Sequence, residues 1–60
     1  MYRVVDFCNK VVLETKNLTD AKKTAKKTSL KIDCQVQDYP FNKVLITYSN
    51  GGVVKSVISN

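Results

Sequence analysis

The chain has 60 residues, 43% of them hydrophobic and 25% charged, and its ten basic against five acidic side chains give a net charge of +5. A chain this short forms one domain at most and buries only about 60% of its unfolded surface, so its core is marginal. The many valine, isoleucine and leucine residues exclude a disordered chain, and no stretch is apolar for long enough to span a membrane.

The first residues and the cysteines indicate a cellular compartment. Residues 1–6 lack the charged-then-apolar layout of a secretory signal, which predicts a cytoplasmic protein. A reducing cytosol favours free thiols at both Cys8 and Cys34. Because the chain has no histidine, it offers no zinc ligand set, and we expect neither a metal nor a cofactor.

Residues 3–15 predict a β-hairpin. Val5 and Phe7 fall on one face of its first strand, and Val11 and Leu13 on one face of its second. All four share a face only if the connecting loop has an odd number of residues, because side chains alternate along a strand.

The loop of this hairpin has two readings. A three-residue loop at Cys8-Asn9-Lys10 satisfies the odd count, with Asn9 as the better host for a positive φ. A two-residue turn would instead place the acidic Asp6 beside Leu13. We favour the three-residue loop.

Residues 17–30 predict one amphipathic helix. Asn17 or Thr19 can cap its N-terminus, and Asp20 suits the positive end of the helix dipole. No glycine marks the other end, so we expect the helix to stop between Thr28 and Leu30.

The two sides of this helix differ in character. Small and apolar residues recur at helical spacing on one side, namely Leu18, Ala21, Ala25 and Thr28. The opposite side carries what we call the lysine ridge: Lys22, Lys23, Lys26 and Lys27.

Residues 31–38 alternate as a half-buried strand. Ile32, Cys34 and Val36 point to one face, and polar residues point to the other. The segment after it, 39–42, predicts a turn in which the Tyr39-Pro40 bond is a candidate for a cis peptide.

Residues 43–49 and 53–59 predict a second hairpin around Asn50-Gly51-Gly52. A two-residue turn sets Ile46 beside Lys55. A three-residue loop instead places six side chains on one face, of which only Ser56 is polar. These residues are Val44, Ile46, Tyr48, Val54, Ile58 and Ser56. The register stays open between these two.

The element order predicts an α+β fold. A single antiparallel five-stranded sheet in the order 2-1-3-4-5 carries the helix on one face, and residues 1–60 form a single domain.

Three surfaces are candidates for function. The lysine ridge suits phosphate contacts without sequence preference, but we favour its interpretation as a solvated helix face. Tyr39 and Phe41, on the turn, could anchor a partner, but we favour their folding back to close the end of the core.

The third surface is the sheet face that one helix leaves uncovered. With Val5, Phe7 and Cys34 on the helix side, leftover apolar residues fall on the other, namely Val4, Val12, Leu45 and, among others, Val53 and Val57. Such a valine face suits an interface with a target protein or with a second copy in a homodimer, although scattered surface valines that favour strand formation explain it equally well. A charge at Val12 should then abolish binding.

Catalysis is not expected, because the five acidic residues are dispersed and no paired carboxylates face a cleft. The element order is similar to that of many short accessory domains of bacteria and phages, a likeness of topology alone. We therefore expect a non-catalytic protein-interaction module, such as a phage-type inhibitor or accessory factor, acting through a sheet face or edge. The alternative is sequence-independent nucleic-acid binding through the lysine ridge.

Overall fold

The computed structural model describes residues 1–41 and 43–57. Its elements are β1 (Tyr2–Asp6), β2 (Val11–Thr15), α1 (Leu18–Thr28), β3 (Cys34–Asp38), β4 (Lys43–Ser49) and β5 (Gly52–Ser56). Each strand pairs antiparallel with its neighbours in the order β2-β1-β3-β4-β5, and α1 packs on one face of this sheet. The predicted α+β fold and strand order are confirmed.

The core lies between α1 and the sheet. Ala21 and Ala25 are fully buried at the contact, where small side chains let the helix backbone approach the strands. The approach is close enough for the Cys34 thiol to donate a hydrogen bond to the Ala25 carbonyl oxygen, at 3.1 Å. Together the buried residues of this core are Val4, Ala21, Ala25, Cys34, Val36, Leu45, Ile46 and Tyr48.

Both ends of α1 follow the sequence signals. The Asn17 side chain accepts hydrogen bonds from the backbone amides of Thr19, at 2.8 Å, and Asp20, at 3.4 Å. Asn17 is therefore the N-cap, one of the two predicted. The helix ends at Thr28, within the predicted range, with Ser29 as its C-cap.

The first hairpin has a three-residue loop, but at residues 7–9 rather than at Cys8-Asn9-Lys10, because the Asp6 amide donates to the Lys10 carbonyl oxygen at 3.0 Å and so pairs these two residues. The Asp6 carboxylate accepts hydrogen bonds from the amides of Cys8, at 2.9 Å, and Lys10, at 3.0 Å. This side chain starts the turn at Asp6, as aspartate does in many turns. Asn9 takes the positive φ, of 63°, as predicted.

A β-bulge separates residues that were predicted to share one face of this hairpin. Val4 lies opposite Leu13 and Val5 opposite Val11, so Val12 is an extra residue in β2. One extra residue exchanges the two faces of a strand, so Val11 and Leu13 lie on opposite faces. Leu13 lies on the helix side, as predicted, and its partner Val4 packs in the core, whereas Val5 lies on the face away from the helix, the reverse of our assignment for Val4 and Val5. Phe7, in the loop, is 58% exposed.

A second bulge lies in β4. Val36 pairs with Ile46 and Gln37 with Val44, so Leu45 is extra. Leu45 and Ile46 are consequently both buried although they are consecutive, which strict alternation forbids. The prediction that Leu45 lies on the uncovered face is wrong.

The second hairpin combines both predicted registers. Its turn has two residues, Asn50 and Gly51, with φ values of 53° and 80°, as a turn between twisted strands requires. A third bulge, at Val54, then shifts the pairing so that Ile46 lies opposite Ser56, as the three-residue loop would have set it. The predicted partner Ile58 lies outside the described residues.

The remaining strand and turn agree with the sequence. Cys34 and Val36 are buried on the helix side of β3, although this strand begins at Cys34 rather than at residue 31. The Tyr39-Pro40 bond is cis, as predicted. Asn42, in the same predicted turn, lies outside the described residues.

Candidate functional site

The lysine ridge faces solvent over most of its length. Lys23, Lys26 and Lys27 are exposed, whereas Lys22 is half-buried. Lys26 and Lys27 lie in the last turn of α1, where positive charge also stabilises the negative end of the helix dipole. Two of the four lysines thus have a structural reason to be there.

Three lysines of the ridge border an open groove of about 410 Å³. The groove lies between the C-terminal half of α1 and the turn joining β4 to β5. Its lining residues are Lys23, Lys26, Lys27, Leu30, Asn50 and Gly51. Because lysine stems and Leu30 supply most of this surface, the floor is apolar while the rim is positive.

Ser29 holds the two walls of this groove together. Its hydroxyl donates to the Lys26 carbonyl oxygen and accepts from the Gly51 amide, both at 2.8 Å, and its carbonyl oxygen accepts from the Asn50 amide at 3.0 Å. Ser29 is only 2% exposed, so these bonds are shielded from water. They fix the end of α1 to the β4–β5 turn.

Leu30 covers the same turn. A Cβ atom placed on Gly51 would lie 2.9 Å from Leu30 Cδ2 and would displace this flexible side chain, and the positive φ of 80° independently favours glycine there. The Leu30 side chain is still 68% exposed toward the groove. Sequence reasoning missed this groove, because Leu30 was assigned only as a helix end and the glycines only as a turn.

Strand β5 forms an open edge of the sheet. All five of its residues are exposed, and it pairs with β4 alone. The helix packs against β1, β2, β3 and, less extensively, β4. The helix therefore covers little of either face of β5, and the Val53 and Val54 side chains of this strand are exposed.

The predicted valine face does not exist as one patch. Val4 and Leu45 belong to the core, Val4 opposite Leu13 and Val36, and Leu45 as the extra residue of the β4 bulge. Val12 is exposed at the β2 edge, whereas Val53 and Val57 lie at the opposite end of the sheet. Exposed valines are thus concentrated at the two edges.

Long polar side chains cover part of the helix-free face between those edges. Arg3 forms an ion pair with Glu14, at 2.9 Å, and its guanidinium carbon lies 3.7 Å from the ring centroid of Tyr39. Gln37 donates a hydrogen bond to the side chain of Gln35 at 3.3 Å. This face is therefore partly closed by its own side chains.

The two aromatic residues of the turn behave differently. Tyr39 is half-buried beneath Arg3, whereas Phe41 is 80% exposed. The prediction that both fold back to close the core is wrong for Phe41. The contact of Tyr39 is with a guanidinium on the helix-free face, a cation–π arrangement.

The cysteines are both free, as predicted, and Cys8 is exposed. Burial, with smaller contributions from the carboxylates of Asp33 and Asp6, raises the pKa of the Cys34 thiol. Burial also raises the pKa of Tyr48, which lies opposite Cys34 across the β3–β4 pair. A protonated, hydrogen-bonded thiol is a poor nucleophile, so the role of Cys34 is to pack in the core.

Within residues 1–41 and 43–57, no group of three potential metal ligands comes together. Every buried side-chain nitrogen or oxygen in this part of the chain has a hydrogen-bond partner. No helix among the described residues is long and apolar enough to cross a membrane.

Comparison of the chain with known protein families, curated proteins and solved structures found no significant match.

Proposed function

We propose that the chain is a non-catalytic protein-interaction module whose binding site is the β5 edge. A partner protein adds an extended strand to this edge, and main-chain hydrogen bonds between the strands provide the affinity. Such a module acts in the cytoplasm as an inhibitor or accessory factor, since a domain of this size influences its target by occupying a surface.

The observation that carries this proposal is the exposure of β5 along its whole length. An edge strand presents backbone donors and acceptors to one side, and proteins usually shield them with charges, bulges or a covering element. Strand β5 has two of these features, the charge of Lys55 and a bulge at Val54, but the helix leaves it uncovered, so its edge is only partly shielded. Val54 is 65% exposed beside that edge.

The opposite edge is less suited to strand addition. The helix packs against β2, and Leu13 contributes from β2 to the core. Glu14 is held by Arg3 of the neighbouring strand. Side chains of β2 therefore make contacts on both faces of the sheet, whereas those of β5 are exposed on both faces.

Charge indicates what kind of partner strand fits. The chain carries a net charge of +5, and Lys55 is the charged residue of β5. A partner strand with acidic side chains opposite Lys55 and apolar ones opposite Val53 complements this edge, since opposite charges and apolar pairs stabilise neighbouring strands.

Affinity capture with matched edge variants tests this function. The two bulge valines, Val54 in β5 and Val12 in β2, are both exposed at edges, so Val54→Lys and Val12→Lys add the same charge to opposite ends of the sheet. We expect a host protein that survives nuclease treatment to be captured by the unmodified chain and by Val12→Lys, and to be lost with Val54→Lys.

Two results would refute this site. Loss of the captured protein with Val12→Lys alone would move the binding edge to β2. Capture that disappears on nuclease treatment would instead favour nucleic-acid binding through the lysine ridge.

A further inference from the structure

The groove beside α1 is a second surface, separate from the side of β5 that accepts a strand. We propose that it binds an acidic peptide segment that inserts one aliphatic side chain over Leu30 while its carboxylates contact the surrounding lysines. The peptide belongs to a partner protein, and its binding does not depend on strand addition to β5.

Charge complementarity is the first argument for this occupant. Lys23, Lys26 and Lys27 border the groove, and no acidic residue lines it within residues 1–41 and 43–57. Peptide carboxylates can therefore approach three ammonium groups without meeting a like charge from the groove wall.

The spacing of these lysines strengthens the argument. Lys26 and Lys27 follow Lys23 by three and four positions, so all three lie on one helix surface, where like charges repel one another and destabilise the helix. The dipole of α1 accounts for Lys26 and Lys27 but not for Lys23, which precedes the last turn. Bound carboxylates would relieve this repulsion.

The floor of the groove selects a peptide over a nucleic acid. Leu30 is exposed at the floor, and among the described residues neither an arginine nor an aromatic residue belongs to the lining. Nucleic-acid sites without sequence preference combine positive charge with aromatic platforms for bases, which this groove lacks. A phosphate backbone gains nothing from an apolar floor, whereas an aliphatic side chain does.

The walls of the groove are preorganised in the free protein. The hydrogen bonds of Ser29 fix the helix end to the β4–β5 turn, and Gly51 allows Leu30 to lie against that turn. A groove of about 410 Å³ falls within the range of small ligand sites. Preorganised walls reduce the entropy lost on binding.

Fluorescence anisotropy with a set of synthetic peptides tests the proposal. The probe is a labelled eight-residue peptide in which one central leucine is flanked by glutamates. Matched peptides replace the leucine by serine or all glutamates by glutamine. A mixed-sequence single-stranded oligonucleotide of equal charge is the third comparison. We expect the probe to bind more tightly than all three.

Protein variants locate the site. The triple variant Lys23→Gln, Lys26→Gln and Lys27→Gln keeps good helix formers and should weaken probe binding at least about tenfold. The control changes three exposed lysines outside the groove, Lys10→Gln, Lys16→Gln and Lys31→Gln, with the same loss of charge. It should weaken binding less than about threefold, a residual long-range effect.

The floor is tested by Leu30→Ala, which removes an exposed side chain and should weaken binding of the leucine peptide but not of its serine counterpart. Equal binding of these two peptides to the unmodified protein, or equal loss in the two triple variants, would overturn the proposal. Tighter binding of the oligonucleotide would make the groove a nucleic-acid site. Val54→Lys should leave probe binding unchanged, so failure here is distinguishable from failure of the β5 site.

Discussion

Replacing Ile46 with alanine should unfold a large fraction of the protein. Ile46 is 1% exposed, in the middle of β4, opposite Val36 on one side and Ser56 on the other. Such a truncation in a core costs about 2–5 kcal/mol through lost burial and the cavity it leaves. A domain of this length has a total stability of only roughly 3–9 kcal/mol.

Val44→Ala is the matched control for that substitution. Val44 lies on the same strand but is exposed, opposite Gln37, so its truncation should cost less than about 1 kcal/mol. Urea unfolding followed by circular dichroism measures both. Equal losses in the two variants would show that the bulge at Leu45 does not place Ile46 in the core.

The chain should also self-associate strongly through β5, and a single substitution in this strand should abolish the association. In a twofold antiparallel pair centred on Val54, Lys55 of one copy lies opposite Val53 of the other, so no like charges meet. The same edge that accepts a partner strand then holds two copies of the chain together, as a homodimer. This replaces the valine face as the dimer surface, since Val4 and Leu45 lie in the core.

Sedimentation equilibrium at micromolar concentration checks this dimer. The unmodified chain should show a mass above the 6.8 kDa of one copy, rising toward twice that value with concentration. Val54→Lys should stay at 6.8 kDa, because it sets two lysines opposite each other at the centre of the pair.

Salt and a second variant complete the test. Each copy carries a net charge of +5, so added salt should strengthen the dimer by screening their repulsion. Val12→Lys should dimerise like the unmodified chain. A monomer at every concentration, or a dimer broken by Val12→Lys instead, would contradict pairing through β5.

The strand order could be predicted from the sequence because each element has strong local signals. Asn17 and the alternation of Cys34 with Val36 identify the helix start and β3, and Asn50-Gly51 identifies the second turn. A hairpin, one helix and three strands allow few antiparallel arrangements. The structure confirms this order.

The sheet face to which each side chain points could not be predicted, because three β-bulges interrupt the alternation of side chains along the strands. Val12, Leu45 and Val54 are each the extra residue in a strand pair, and none has a sequence signal such as a glycine. Because side chains alternate, one extra residue exchanges the two faces of everything beyond it. The valine face depended on strict alternation and was therefore wrong.

The groove could not be predicted either, because it depends on contacts between distant parts of the chain. Ser29 and Gly51 are 22 residues apart, and nothing local shows that the serine hydroxyl accepts from the glycine amide. Only the lysine ridge, a local pattern, was visible in the sequence.

Amide hydrogen exchange tests the β5 site most directly. Exchange is compared, by mass spectrometry at a concentration low enough to keep the free chain monomeric, between the free chain and its complex with the captured partner. We expect outward-facing amides of β5 to exchange at least about tenfold more slowly in the complex, because each gains a hydrogen bond to the added strand, while those of β2 are unchanged. Protection confined to β2, or to the lysine ridge of α1, would contradict binding at the β5 edge.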